Sequence, residues 1–217
     1  MRLLITAGPT REPIDRVRYI GNRSSGSLGV ALATAAAAAG HQVTTLLGPV
    51  CPDLAAQARS AGRLYPFESS AELSQLMEAH FRDAETLIMA AAVADFRPAT
   101  VAEGKLTRPA DPHHETTLKL LPTPDLVARA AATKRPGQWV VAFALEEPQH
   151  LEQRAAEKLR RKGVDAIIAN PLGTMEADAI TATWIPAEGP TKRLERLSKA
   201  DFAAWLIAHI AIWAHQD

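Results

Sequence analysis

The stretch YIGNRSSGSLGVALATAAAAAGHQVTTLLG, Tyr19 to Gly48, decides the fold. Its first third is a glycine turn, its middle is rich in alanine and favours helix, and its end is β-branched and apolar. A helix is predicted over 26–39 and a strand over 42–48. With the strand RLLIT at 2–6 ahead of it, the stretch completes a strand, helix and strand, and hence a parallel pair. The glycine turn comes late, however: TREPIDRVRYIGN (10–22) is inserted between the first strand and the cradle-like SSGSLG.

The same rhythm continues outward. A short strand is predicted at 63–67. A helix to about Phe81 follows, started by a capping box of Ser69 and Glu72, and then an apolar strand at 86–91. Helices start near Pro124 and Pro148, the second stopping at Gly163, with strands at 138–145 and 165–170. Two segments break the pattern. Residues 95–115 are rich in proline and glycine and read as an exposed flap, while 179–197 alternate around an EGP turn and read as an appended β-hairpin. A helix capped by Ser198 and Asp201 closes the chain, with Phe202, Trp205, Leu206 and Trp213 on one face. The expected fold is α/β: a Rossmann-like, mostly parallel sheet flanked by helices, as a single domain over 1–217.

Composition narrows the function. The 24 basic side chains equal the 24 acidic ones, so no global field draws the protein to nucleic acid or an anionic membrane. The single cysteine, Cys51, offers neither an internal disulfide nor a zinc cluster, and the apolar run in MRLLITAG is short for a signal peptide or membrane span, so neither is expected. A cytoplasmic protein is expected, in which the sequon at Asn22 has no glycosylation role.

The chemistry-bearing residues form a weak set when taken singly. Gly26 and Gly29 allow close backbone approach, and Ser24 and Ser25 add hydroxyls at a helix start where unpaired N–H groups favour an anion. Glycines there serve helix-to-sheet packing equally well. A dinucleotide site would place its glycines directly after the first strand and an acid after the second; this chain has AGPTREPID and LLGP instead. In the insert, Arg11, Arg16, Arg18 and Asn22 approach the cradle. Arginine forks suit carboxylates and phosphates, and an asparagine amide can donate to a developing oxyanion; Arg11 and Arg16 read as solvated. Lys105 lies on the flap, where most lysines are solvated. Lys158 and Lys162 stand one turn apart near a helix C-terminus, where cations offset the dipole. His113 and His114 have no ligand triad around them, and no Walker, G-x-S-x-G or H-E-x-x-H sequence occurs.

Together the blocks ITAGPTREPIDRVRYIGNRSSGSLG, AAVADFRPATVAEGK, TPDLV, VVAFALEE and DAIIAN resemble the phosphopantothenoylcysteine synthetase family, the phosphopantothenate-cysteine ligases of coenzyme A biosynthesis, over nearly the whole chain. The resemblance implies a Rossmann-like homodimer. It also implies that a nucleoside triphosphate, CTP in most bacterial members and ATP in animal ones, activates the carboxylate of phosphopantothenate as an acyl-nucleotide before cysteine attacks. By motif, Asn22, Arg18 and Lys105 would be the catalytic residues. Ser24, Ser25, Gly26, Gly29, Ala91, Asp95, Pro124, Asp125, Leu126, Val127 and Phe143 would contact nucleotide, with Lys158 and Lys162 reaching its phosphates. Magnesium would accompany the triphosphate, with Asp95 as its one nominated side-chain ligand. Bacterial relatives are often fused behind a flavin-dependent decarboxylase; a stand-alone ligase without FMN is expected here.

The chain departs from the family pattern at several points. Relatives often carry a basic residue after SSG, where this chain has Ser27, so one phosphate contact is expected to be missing. Thr107 replaces a flap lysine, Leu145 a small residue of the base pocket, and Met175 and Ile180 stand near positions usually aromatic or asparagine. Two alternatives stay open at this level: an NAD(P)-dependent oxidoreductase on a related sheet, and a catalytically silent nucleotide-binding dimer.

Overall fold

The computed structural model describes residues 1–111, 113–174 and 179–214. In chain order the elements are β1 (Arg2–Ala7), β2 (Arg11–Pro13), β3 (Tyr19–Gly21), α1 (Ser27–Ala38), β4 (Gln42–Leu47), α2 (Pro52–Ser60), β5 (Arg63–Pro66), α3 (Ser70–His80), β6 (Thr86–Met89), β7 (Phe96–Pro98), β8 (Leu120–Pro122), α4 (Leu126–Thr133), β9 (Trp139–Glu146), α5 (Leu151–Lys162), β10 (Ala166–Pro171), β11 (Ala179–Pro186), β12 (Lys192–Ser198) and α6 (Lys199–Trp213). The main sheet runs β12-β11-β10-β9-β6-β1-β4-β5. From β10 to β5 every pairing is parallel, and the β11–β12 hairpin extends the sheet antiparallel. The fold is therefore the expected α/β, Rossmann-like arrangement.

Alternation along the buried strands decides which helix covers which face. Leu3 and Ile5 of β1 point to a cluster with Leu32 and Ala36 of α1 and Phe202, Leu206 and Ile210 of α6. Leu4 points the other way, to Leu73 and Met77 of α3, Val127 of α4 and Leu159 of α5. Trp184 of β11 is 1 % exposed under α6, so the hairpin is part of the core rather than a loose appendage. Its partner β12 is mostly exposed and carries Lys192, Arg193, Glu195 and Arg196, charges that discourage edge-to-edge pairing.

Gly29 fixes the contact of α1 with β1. A Cβ at Gly29 would stand 2.4 Å from the Cβ of Ala7 and 2.9 Å from its Cα, so neither backbone can give way cheaply. Gly29→Ala is expected to lower stability by about 1–3 kcal/mol, the usual cost of overpacking, and a thermal melt measures it. An unchanged midpoint would mean that α1 shifts off β1 freely.

Three features, five elements in all, escape the sequence reading. Helix α2 buries only Ala58, so its apolar stripe is faint; Pro52 at its first turn is the better signal. The insert before the cradle is a hairpin rather than an open loop, with β2 pairing β3 antiparallel from Arg11↔Gly21 to Pro13↔Tyr19. The flap begins as β7, which pairs with β8, so its base is a two-stranded arm whose second strand lies beyond residue 115. Strands of three residues are too short for periodicity to register. The capping box of α3 forms in altered shape: Ser69 Oγ accepts from the Glu72 N–H at 3.2 Å, while the Glu72 carboxylate accepts from Glu68 N–H at 2.7 Å. Among the described residues no helix is long and apolar enough to cross a membrane.

Candidate functional site

The chain order in the sheet reverses between β1 and β6: β4 and β5 are laid down on one side of β1, and β6, β9 and β10 on the other. Open α/β sheets bind ligands in the crevice at such a switch point, outside the carboxyl ends of the strands. A cavity of about 840 Å³ lies there.

One wall is the start of α1. Gly26 adopts a left-handed φ of 77° at the N-cap, and no side chain caps the first turn from that position. A Cβ at Gly26 would also lie 2.6 Å from Val50 Cγ1, so glycine is required twice over. The Ser24 and Ser25 hydroxyls accept weakly from the Gly26 and Ser27 amides, each at 3.3 Å. No acidic side chain occupies the first turn, so the positive helix end faces the cavity uncompensated.

The floor is the segment leaving β6. Thr6 Oγ1 accepts from the Ala91 N–H at 3.0 Å, and the fully buried Thr10 Oγ1 accepts from the Ala94 N–H at 3.0 Å. Asn22 donates through Nδ2 to the Val93 carbonyl at 3.0 Å. Ala91 and Asp95 thereby line the cavity on a backbone pinned from three sides, with the Asp95 side chain exposed.

The far wall comes from the turn into α4 and from α5. Pro124, Asp125, Leu126 and Val127 line it, as do Phe143 and Leu145 of β9. Asp125 caps α4 by accepting from the Ala128 N–H at 3.1 Å and holds Lys162 Nζ at 2.7 Å. Burial raises its carboxyl pKa, but the Lys162 and Ala128 hydrogen bonds outweigh that and leave it lowered. Lys158 Nζ lies 2.5 Å from the buried Glu146. Both lysines therefore face the cavity with their ammonium groups pre-positioned by carboxylates, which is more than a helix-dipole role requires.

Arg18 and Lys105 stand apart from this lining. Arg18 forms an ion pair with Asp15 and donates to the Leu106 carbonyl at 2.7 Å, while Asp15 accepts from the Leu106 N–H at 3.0 Å. The insert hairpin thus grips the flap one residue past Lys105, whose side chain is exposed. Of the other insert arginines, Arg11 covers the Tyr19 ring at 4.6 Å and Arg16 is exposed. Among the family departures, Ser27, Leu145 and Ile180 line the cavity, Thr107 is exposed, and Met175 lies outside the described residues.

Several residues of the site escape sequence reasoning. Asp15, with its side chain fully buried, and Glu146, 5 % exposed, lie within the TREPIDRVRYIGN and VVAFALEE blocks without being singled out there; buried carboxylates within reach of arginine or lysine become visible only in three dimensions. Asn170, at the end of β10, lines the cavity and donates to the Thr181 carbonyl at 3.1 Å. Lys199, from the other end of the chain, places Nζ 3.1 Å from Ser27 Oγ. Among the described residues no cluster of three or more His, Cys, Asp or Glu could hold a metal by itself.

Comparison with known proteins matches this geometry to one family. The chain is 41 % identical over 170 residues to the coenzyme A biosynthesis bifunctional protein CoaBC of Escherichia coli (strain K12), covering 78 % of this chain and 41 % of that one. It is 38 % identical over 218 residues to a cysteine/cysteine sulfinic acid decarboxylase from an unknown prokaryotic organism, covering 99 % of this chain and 59 % of that one. This chain thus spans about half the length of such curated relatives. The crystal structure of the C-terminal domain of CoaBC superposes with a TM-score of 0.82 at 29 % identity, covering 100 % of this chain and 96 % of that one. Residues 1–213 match the family profile described as the DNA/pantothenate metabolism flavoprotein C-terminal domain, and the chain belongs to that family.

Proposed function

We propose that the chain is a phosphopantothenate-cysteine ligase acting through an acyl-nucleotide. The observation that carries this reading is the convergence of an uncapped helix start, two lysines and Asn22 on one cavity at the switch point. A volume of about 840 Å³ falls in the range of small-molecule sites, roughly 300–1,000 Å³, and suits a nucleotide together with a second ligand. Strand β4 leads into Gly48 and Pro49 with no carboxylate for a ribose, so the dinucleotide alternative gains no support.

In this reading a carboxylate oxygen of phosphopantothenate attacks the α-phosphorus of CTP and pyrophosphate leaves. The cysteine amine then attacks the activated carbonyl, and the nucleoside monophosphate leaves as the amide forms. Lys158 and Lys162 offset triphosphate charge. The weakly held amides of Gly26 and Ser27 at the start of α1, with the Ser24 and Ser25 hydroxyls, receive a phosphate. Phe143, Leu145, Leu126 and Val127 give the base an apolar wall. Asn22 donates to the oxygen that gains charge as the amine adds. Lys105 reaches the reacting phosphate from the flap, which Asp15 and Arg18 hold in place. Magnesium would enter on the triphosphate and meet the exposed Asp95, consistent with its habit of using one or two carboxylates plus phosphates.

A second copy of the chain completes the proposal. The paired arms expose Val17, Tyr19, Phe96, Leu120 and Leu121, a concentration of large apolar side chains that a homodimer would cover. The reading places the enzyme in the cytoplasm, where free thiols persist.

The test supplies phosphopantothenate, cysteine, magnesium and either CTP or ATP. Pyrophosphate release matched by phosphopantothenoylcysteine is expected, faster with CTP. Folded protein that releases none with either nucleotide would remove the reading.

A further inference from the structure

Helix α1, Ser27–Ala38, contains no basic residue, so the cradle at its start has no cation from its own helix. Another supplies one in space. Lys199 is the first residue of α6, 172 positions from Ser27, and its ammonium lies 3.1 Å from Ser27 Oγ on the lining of the same cavity. Three features separate it from an ordinary surface lysine. It is half-buried. It sits at a helix N-terminus, where a cation opposes the dipole, so its position costs helix stability rather than adding to it. Among the described residues it has no carboxylate partner, whereas Lys158 and Lys162 on the opposite wall are paired with Glu146 and Asp125.

The local field sharpens the point. The ammonium of Lys199 rests at the mouth of another helix start, that of α1, whose first turn carries no acid. Two positive features thus meet at the cavity wall with only a serine hydroxyl between them. An anion placed there would be attracted by both.

We propose that Lys199 is the cation of the α1 phosphate cradle, supplied through space to a helix that carries none of its own. This rests on the ligase reading for the identity of the ligand, a phosphate group of either the nucleotide or phosphopantothenate. Ser27 is small because a long side chain there would occupy the place that the Lys199 ammonium takes. The hairpin and Ser198 set the direction: Ser198 Oγ accepts from the Asp201 N–H at 3.0 Å, fixing the first turn of α6 so that Lys199 projects toward α1.

The experiment compares wild type, Lys199→Gln, Lys199→Arg and the double variant Ser27→Lys with Lys199→Gln. Calorimetry measures binding of inorganic pyrophosphate, CTP and phosphopantothenate separately, and thermal melts are run beside it. Loss of one charge-assisted contact is expected to weaken the ligand held there by about tenfold in Lys199→Gln. Lys199→Arg should retain most of the affinity, and the double variant should recover it by returning a cation to the cradle. The melting temperature of Lys199→Gln should not fall, because a cation leaves a helix N-terminus. Weakening confined to CTP and pyrophosphate assigns the nucleotide; weakening confined to phosphopantothenate assigns that substrate. Unchanged affinity for all three ligands overturns the proposal, as does weakening that the double variant fails to restore. Wild-type protein that binds phosphate ligands through Lys199 yet forms no product would sink the ligase reading while leaving this one standing.

Discussion

Replacing Asn22 by alanine is expected to depress turnover by about 10²–10³-fold, the usual cost of removing one oxyanion donor, while the protein stays folded. Asn22 follows β3 on the cavity wall, and its side chain is exposed apart from the bond from Nδ2 to Val93 O at 3.0 Å. That bond uses one of the two amide hydrogens and leaves the other to donate. Because the group is exposed, losing the bond removes about 1 kcal/mol of stability at most. The effect should therefore appear in kcat and hardly in the melting temperature. Asn22→Asp keeps the shape but puts a carboxylate where a carboxylate substrate must arrive, so it should be equally slow. Near-normal rates for the alanine variant would take Asn22 out of the mechanism.

The second large effect is predicted at Asp15. Its buried carboxylate accepts from the Val17 and Arg18 amides, each at 2.8 Å, from Arg18 Nε at 3.0 Å and from the Leu106 amide at 3.0 Å. The flap is further tied by Ala102 N–H donating to the Ile14 carbonyl at 3.0 Å. Asp15→Ala leaves several donors of this turn unmatched and frees the flap near Lys105. A stability loss of about 2–3 kcal/mol is expected, the range for hydrogen bonds to a charged group left unmade. Turnover should fall as far as in Lys105→Ala, since the flap lysine loses its anchor. Trypsin provides a direct readout, because the Lys105–Leu106 bond lies on the exposed flap and should be cut faster in the variant while the sheet resists. The pH behaviour follows from the same contacts. The Arg18 hydrogen bond, helped by those of Leu106, Val17 and Arg18 N–H, holds the Asp15 carboxyl well below the usual carboxylate range against the opposing effect of burial. A depressed folded pKa means that the contribution is fully present above the ordinary aspartate value, near 4, and is lost only as pH falls toward the folded value. Flap protection should accordingly survive mild acid. Unchanged protection and turnover in Asp15→Ala would contradict the clamp.

Sequence and structure agree where long, periodic segments are concerned. The run from Gly26 through Leu47 is legible because alanine-rich helix and β-branched strand differ in period, and the glycines mark where α1 must approach β1. The two arms were hidden because three-residue strands have no period, and α2 because a helix with one buried residue has no stripe. Site residues divide in the same way. Asn22, the cradle and the Pro124–Val127 turn sit in contiguous motifs. Lys199 and Glu146 act through partners 172 and 12 positions away, and Asp15, besides its local pair with Arg18, holds Leu106 across 91; a pairing at that distance leaves no trace in local spacing. Lys158 illustrates the difference, since its helix position suggests a dipole role and only the buried Glu146 shows that its ammonium is steered to the cavity.

Activation of a carboxylate on the α-phosphorus of a nucleotide is the step that defines the proposed reaction. The measurement closest to it runs the reaction with phosphopantothenate labelled by ¹⁸O in both carboxylate oxygens and reads the products by mass spectrometry. One labelled oxygen in CMP and the other in the new amide is the predicted result, because the oxygen that attacks phosphorus departs with it. Label in inorganic phosphate beside a nucleoside diphosphate, or two labels left out of CMP altogether, would contradict the acyl-nucleotide route.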